Sequence, residues 1–592
     1  MKISSQLCGF LLAVLVVAVT WPVLGLGFVM HDDPLEILQN PLFYPLDGAA
    51  LAKIWTEPDF SRIYIPASYT ALGGLAEVSR WLEGSGPLGV PSPKVFHAAG
   101  MLLHVLNTLL VFRLLRRALG EGAPWPAFWG ALLFAVHPAQ VESYARAGNI
   151  TVTLGAFWAL LALVFFVRSL ERPKGTGWWL AGSCVLFSLG LLTRPSLVAW
   201  PVAAWLYAWA ISAPEAEGGR QGHRPAIRLL PWVAASVAYT AWTLFWQPAA
   251  FETSVAGGRW WERPVIAADS LAWYAAQALW PSSLSIDHGR TPQAIMASPT
   301  VWLSFAGVLA GVVVILFRAR RQRLEMAGLA FFFVLLPPVS GLVPAANREA
   351  VSIVYGRHLY LPLAGLALAA AVLLRRIKPE AQWWAGLGAA ALLAVLSRQH
   401  QATWRDSFAL FSHALSVNPA SWYASAQLGT AWQQAGQPGQ AVPLLARSVA
   451  LNPRLADTRI NLGQALLDCG RIEEGETVLR EALQIDPRQA NGHNSLAFAL
   501  LRREAWAGAE QAAHTALELN PAHPLAAVNL ALAQAAQGKT EEALAQARHA
   551  ATQHPLLPNA WLALAKLLRD AGREDEAQQA QARAEALRLS KP

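Results

Sequence analysis

The chain has 592 residues, of which 54% are hydrophobic and only 14% charged, with 26 tryptophans and a formal net charge of +8. A soluble globular protein carries roughly 25% charged residues, so this composition excludes a wholly soluble chain, and the mean hydropathy of +0.33 points to a polytopic membrane protein with tryptophan belts at its interfaces. The positive charge lies in short clusters between apolar runs, which excludes a basic nucleic-acid groove, and the three scattered cysteines offer neither a disulfide framework nor metal-ligand spacing.

The first apolar run, Leu7 to Leu26, is long enough to span a bilayer. No small-x-small cleavage site stands before Phe28, so it reads as a retained helix in preference to a cleaved signal peptide. Asp32 and Asp33 follow directly, an acidic pair at a membrane surface, where charge is costly and usually functional. Further spans read at about 96–115, 126–143, 150–168, 178–193, 196–212, 229–247, 299–317, 326–345, 359–375 and 382–397. Five basic clusters (Arg113 to Arg117, Arg168 to Lys174, Arg220 to Arg228, Arg318 to Arg323, Arg375 to Lys378) fall on one side if the N-terminus is cytoplasmic. Residues 264–281 are apolar enough for a span, but counting them would move Arg318 to Arg323 outside, so they read as an interfacial or re-entrant helix. About eleven crossings then leave the C-terminal region outside. His137, Glu142, Arg194, Asp287, His288, Arg357 and His358 all join the first acidic loop on that outer face.

From residue 418 onward a 34-residue clock runs through Asn418-Pro419, Asn452-Pro453, Asp486-Pro487, Asn520-Pro521 and His554-Pro555. Leu428-Gly429, Leu462-Gly463, Leu496-Ala497, Leu530-Ala531 and Leu564-Ala565 keep the same period. A turn glycine recurs at 436, 470, 538 and 572, with Glu504 the exception. This is the tetratricopeptide pattern of paired helices. The expected organisation is all-α: a membrane helix bundle over 1–397, a junction with half a repeat over 398–421, and a five-repeat solenoid over 422–592.

Six segments then carry a resemblance. HDDPLEILQNPLF (31–43), FHAAGMLLHVLNTLLVFRLLRR (96–117), FWGALLFAVHPAQVES (128–143), LAWYAAQALWPSSLSIDHG (271–289), YGRHLYLPLAGLAL (355–368) and SRQHQATWRDSFALFSHALSVNP (397–419) resemble, in order, segments of the transmembrane and tetratricopeptide-repeat O-mannosyltransferases and their bacterial relatives, which are polytopic glycosyltransferases of the GT-C class. The resemblance implies transfer of a sugar from a polyprenyl-phosphate donor to a protein or envelope-glycan acceptor outside a bacterial inner membrane. It implies Asp32 or Asp33 as the base, Arg357 and Arg194 on the donor phosphate, and His137, Glu142, Asp287 and Tyr64 in support. No cofactor or metal ligand set is expected, and a divalent cation stays an open requirement. The repeats would recruit the acceptor or a protein partner, with membrane lipids the surrounding contact. Departures are plain: Tyr64-Ile65-Pro66-Ala67 lacks the family's arginine, Gly356-Arg357 lacks its glutamate, and Gly148-Asn149-Ile150-Thr151 lacks both charges of its Gly-Arg-x-Asp. The alternative expectation is a non-catalytic membrane-anchored repeat scaffold.

Overall fold

The computed structural model describes residues 5–31, 33–57, 64–86, 89–120, 122–171, 176–212, 224–246, 259–342, 351–555 and 557–589; Asp32 lies outside them. Those residues form helices and turns with no strand among them. They divide into two compact units, Met1–Pro419 and Ala420–Pro592.

The longer helices of the first unit are α1 (Ser5–Thr20), α2 (Gly48–Thr56), α3 (Pro66–Glu83), α4 (Pro93–Leu119), α5 (Pro124–Val136), α6 (Ile150–Glu171), α7 (Thr176–Thr193) and α8 (Trp200–Ile211). They continue as α9 (Leu230–Trp246), α10 (Arg263–Leu279), α11 (Val301–Ala319), α12 (Arg323–Val334), α13 (Pro362–Arg375), α14 (Pro379–Ala402) and α15 (Ser407–Val417). Proline opens five of these helices, where its missing N–H costs nothing and its fixed φ suits the first turn. Five segments, 5–25, 93–119, 147–171, 176–193 and 301–319, are long and apolar enough to cross a bilayer alone. The crossings expected at 126–143, 196–212 and 359–375 fall on shorter apolar helices. The first of these differs most from expectation. Helix α5 stops at Val136, about 20 Å long at 1.5 Å per residue, because Pro138 lacks the N–H a continuing helix needs. The chain then makes two short turns, Pro138–Gln140 and Val141–Ala145. Pro337 and Pro338 likewise follow the end of α12, where the expected span ran on to 345.

Aromatic and small residues fill this unit. Phe187 stacks on Trp232 with centroids 4.7 Å apart. Helices α12 and α13 touch backbone to backbone, since a Cβ on Gly328 would sit 2.6 Å from the Gly365 carbonyl oxygen, as small residues permit between membrane helices. One buried polar network ties the bundle together. His104 donates from Nε2 to the Ala135 carbonyl (3.0 Å), so its Nδ1 accepts from the Tyr360 hydroxyl (2.7 Å). The same Tyr360 oxygen accepts from Asn107 Nδ2 (3.1 Å), which also reaches the Thr153 carbonyl (2.8 Å). Every polar group so engaged is spared the cost of sitting unpaired in an apolar interior. Residues 404–419, expected as half a repeat, pack within this unit. Met30 N donates to Ser407 Oγ (2.9 Å), and His413 Nε2 donates to the Leu284 carbonyl (2.9 Å).

The second unit is five helical hairpins: Trp422–Gln434 with Pro438–Leu451, Ala456–Asp468 with Ile472–Ile485, Ala490–Arg502 with Trp506–Leu519, Pro524–Ala536 with Thr540–Gln553, and Pro558–Asp570 with Glu574–Leu589. Close approach within a hairpin depends on small residues: a Cβ on Gly463 would lie 2.6 Å from Leu479 Cγ. The turn glycines Gly436, Gly470, Gly538 and Gly572 adopt φ of 72°, 79°, 78° and 73°, and Glu504 adopts φ 60° in the same register. A side chain there is strained, since the left-handed region costs a residue with a Cβ roughly 1–2 kcal/mol. Glu504→Gly is expected to stabilise the repeats by a net roughly 0.5–1 kcal/mol, after the greater backbone entropy of unfolded glycine is subtracted. A rise in the unfolding midpoint of the repeat transition checks this.

Candidate functional site

The chemistry-bearing residues sit where helices break. The loop that follows the first apolar helix folds into a tight turn over Pro34–Leu38, and Asp33 at its head is fully buried. Asp33 Oδ2 accepts from Val29 N (3.0 Å), and Oδ1 accepts from Gly148 N (3.0 Å) and lies 3.5 Å from Arg146 Nε. Arg146 also donates to Glu36 Oε2 (2.9 Å) and to Asn149 Oδ1 (3.3 Å). Two carboxylates thus share one buried guanidinium. Gly148 leaves room beside them, since a Cβ there would displace the Glu36 carboxylate from its present position.

Asn149 links this acidic end to a cationic end. Its Nδ2 donates to the Glu142 carbonyl oxygen (2.8 Å). The Glu142 side chain, 4% exposed, accepts from Arg357 N (2.9 Å) and from an Arg357 guanidinium nitrogen (2.6 Å). Burial alone would raise the Glu142 carboxyl, but the bonds and charge of Arg357, with His31 adding to them, hold it below the usual carboxylate range. The Arg357 guanidinium also lies over the Tyr355 ring, 4.0 Å from its centroid. Gly356 leaves room for this pair, since a Cβ there would come 3.0 Å from Glu142 Oε2.

Arg357 and Arg194 line one narrow cleft, with Val152, Leu197, Leu335 and His358 among its walls. Arg194 Nε donates to Ser196 Oγ (3.0 Å), and no ion pair is formed by Arg194 among the described residues. Burial, and then the neighbouring Arg357 charge, bring Arg194 down to about 10, so it remains a cation at neutral pH. His358 is held through Nδ1, which accepts from the Tyr274 hydroxyl (2.8 Å), while that hydroxyl oxygen accepts from Tyr355 N (3.4 Å). Two guanidiniums facing an apolar-walled cleft repel each other until an anion enters it.

The remaining expected residues stand apart from the cleft. His137 caps the turn after α5: Nδ1 accepts from Ala139 N (3.1 Å) and Nε2 donates to the Ala278 carbonyl (3.1 Å). Asp287 is buried and shapes its own turn, accepting from Gly289 N (2.8 Å) and Asn418 Nδ2 (3.1 Å). Tyr64 donates to the Trp55 carbonyl (2.9 Å), and its own carbonyl accepts from the Tyr239 hydroxyl (2.7 Å). Arg146 and Glu36 were missed from sequence. The signals available were the i, i+3 spacing of Asp33 and Glu36 and an isolated arginine three residues before the position where the resembling family carries one.

Two outcomes follow from these contacts. Arg146→Met should destabilise the first unit by roughly 3–5 kcal/mol, because it leaves Asp33 buried with an uncompensated charge, and Asp33→Asn in the same chain should recover part of the loss; thermal unfolding in detergent measures both. Burial lowers His137 to about 4, beneath the usual value of roughly 6.5. The unfolded chain therefore takes up a proton first, so stability is full above about pH 6.5 and falls as the pH drops toward 4. The unfolding midpoint should decline across that window, and less steeply in His137→Gln.

Residues 92–220 match the dolichyl-phosphate-mannose-protein mannosyltransferase family, and residues 432–497 match a tetratricopeptide repeat family. Protein O-mannosyl-transferase TMTC1 of Mus musculus is 30% identical over 150 residues, which are 25% of this chain and 15% of that protein; the chain thus covers a small part of that relative's length. Among solved structures, MamA is 20% identical with a TM-score of 0.24, covering 28% of this chain and 96% of its own. YrrB, a tetratricopeptide-repeat protein with a peptide-binding site, is 16% identical with a TM-score of 0.24, covering 31% and 93%. The chain thus carries a segment similar to the dolichyl-phosphate-mannose-protein mannosyltransferases and, C-terminal to it, tetratricopeptide repeats.

Proposed function

We propose that this protein is a membrane glycosyltransferase that moves a sugar from a polyprenyl-phosphate donor to a hydroxyl of a protein or envelope glycan on the outer face of a bacterial inner membrane. One observation carries the reading: Arg194 and Arg357 share a cleft whose other walls are largely aliphatic. Guanidiniums suit phosphate oxygens, and aliphatic walls suit the first isoprene units behind them. The matched mannosyltransferase segment supports the reading, since residues 92–220 include Glu142 and Arg194.

In the reaction, a carboxylate of the first outer loop takes the proton from the acceptor hydroxyl. The acceptor oxygen forms a bond to the anomeric carbon as the bond from that carbon to the phosphate oxygen breaks. The polyprenyl phosphate leaves with its charge held by Arg357 and Arg194, and attack from the opposite face inverts the configuration. The repeats recruit the acceptor or an assembly partner.

Arg194 offers the cleanest test because it forms no ion pair among the described residues. Arg194→Gln removes a like-charge neighbour of Arg357, so the unfolding midpoint should hold or rise. It also removes a charge-assisted phosphate contact worth roughly 1.5–3 kcal/mol, about 10- to 100-fold in affinity. Binding of radiolabelled polyprenyl phosphate to protein in lipid nanodiscs measures that loss. Unchanged binding in Arg194→Gln, with wild type releasing no sugar from any polyprenyl-phosphate donor in the presence of envelope extract, would leave the scaffold as the better account.

A further inference from the structure

The repeats hold a cavity of about 140 Å³, all of whose lining residues lie in the second unit. One wall is a single face of the helix Thr540–Gln553 and its cap. Gln546, His549 and Gln553 stand at i, i+3 and i+7, and His554 follows at i+8, so all four share that face. The opposite wall is the end of the third hairpin and the start of the fourth, with Leu517, His523 and Ala527. The 34-residue pattern breaks at this place. Where the other hairpins carry Leu451, Ile485, Leu519 and Leu587, the fourth carries Gln553. At the next position their Asn452, Asp486, Asn520 and Arg588 give way to His554. Both departures fall on the cavity wall.

The three histidines play different parts. His523 is buried and held at both nitrogens: Nδ1 accepts from Ala526 N (3.2 Å), so Nε2 carries the hydrogen and donates to Asn491 Oδ1 (2.9 Å). Burial holds it below the usual histidine value, and the neighbouring His554 adds to this, so His523 is a neutral wall. His549 is exposed and His554 half-buried, and among the described residues neither ring takes part in a hydrogen bond or ion pair. No lining residue carries a carboxylate. Those on the neighbouring helices are engaged elsewhere: Glu518 lies against His514 (3.1 Å), Glu510 against Lys539 (2.8 Å) and Glu576 against Arg548 (3.1 Å). Glu541 and Glu542 occupy the first turn of the helix, away from His549 and His554, and Lys566, Arg569 and Asp570 lie in the second half of Pro558–Asp570. The described residues place no trio of His, Cys, Asp or Glu side chains to hold a metal ion. Two imidazoles and two carboxamides beside aliphatic side chains thus form a set of N–H donors with no anion of their own.

We propose that this cavity takes a side-chain carboxylate of an acidic peptide segment, and takes it when His549 and His554 are protonated. Each imidazolium then offers a charge-assisted hydrogen bond, and the Gln546 and Gln553 amides add neutral ones. Leu517 and Ala527 suit the methylene stem behind the carboxylate. Imidazole gains its charge between about pH 5 and 8, so binding is tight on the acid side and fades as the pH rises. The bound carboxylate favours the charged form of both rings, so the peptide binds with uptake of protons. The site belongs to the repeats alone and stands whether or not the membrane unit transfers a sugar. Where it does, the partner or acceptor recruited by the repeats carries acidic residues.

The test uses the full chain in nanodiscs of zwitterionic lipid. A rhodamine-labelled hexaglutamate peptide is titrated by fluorescence anisotropy at about pH 5.5 and about pH 7.5, on either side of the usual imidazole value. Affinity should be roughly tenfold or more higher at the lower pH. Arginines keep their charge across that range, so a peptide held by the Arg194 and Arg357 cleft would show no such dependence. The double variant His549→Gln/His554→Gln should abolish the gain with an unfolding midpoint close to wild type. Gln553→Leu, which restores the residue type of the other hairpins, should weaken the peptide severalfold at the lower pH without lowering the midpoint. Equal affinity at the two pH values would overturn the proposal, as would a double variant that binds like wild type or a hexaglutamine peptide that binds as tightly. Displacement of the peptide by an equal concentration of inorganic phosphate would overturn the carboxylate assignment in favour of a phosphate site.

Discussion

A carboxylate that is 4% exposed inside a largely apolar unit must be compensated or it will not ionise. Glu142 is compensated chiefly by Arg357, through one backbone and one side-chain bond. That pairing joins the turn after α5 to the turn before α13, two segments 215 residues apart in sequence. Much else hangs from it. Asn149 holds the Glu142 backbone, Arg146 holds Asn149, and Asp33 and Glu36 hold Arg146. On the other side, Tyr360 anchors the Arg357 turn into the bundle through His104 and Asn107.

The cleft owes its walls to broken helices. Irregular backbone is tolerated where it lines a cavity or is buried in protein, and here proline supplies the breaks. Arg194 directly precedes Pro195, Leu335 and Val339 flank Pro337 and Pro338, and Arg357 lies shortly before Pro362. The breaks before Pro195 and before Pro362 each turn an arginine toward the same space, and the break at Pro337 turns Leu335 and Val339 there.

Much of the architecture was legible in the sequence. The 34-residue period placed the hairpins, and even the exception at Glu504 falls in the glycine register, with the positive φ that register demands. Hydropathy placed most membrane helices but overran Pro138, because Ala139 and Val141 keep the apolar count high after the helix has ended. The site was legible residue by residue and not in its pairings. Arg357 was expected to await a phosphate, yet it also neutralises Glu142. Asp33 was expected to face the acceptor, yet it is buried against a loop 115 residues away. Ion pairs between distant loops leave no periodicity to read, so Arg146, the hub of the acidic end, carried only the weak signal of an isolated arginine near the position where the resembling family has one.

The double duty of Arg357 has an energetic consequence. A guanidinium has five N–H donors, and Glu142 takes one of them beside the backbone N–H. The carboxylate therefore holds the guanidinium plane in place before any anion arrives, which lowers the ordering cost that phosphate binding would otherwise bear. The same carboxylate weakens the positive potential of the cleft, and Arg194 restores it from the opposite wall. A dianionic or strongly bound product would be slow to leave two unscreened arginines. With Glu142 present, the two arginines and this carboxylate together carry a net charge near +1, so the cleft stays attractive to an anion without the full field of two uncompensated guanidiniums.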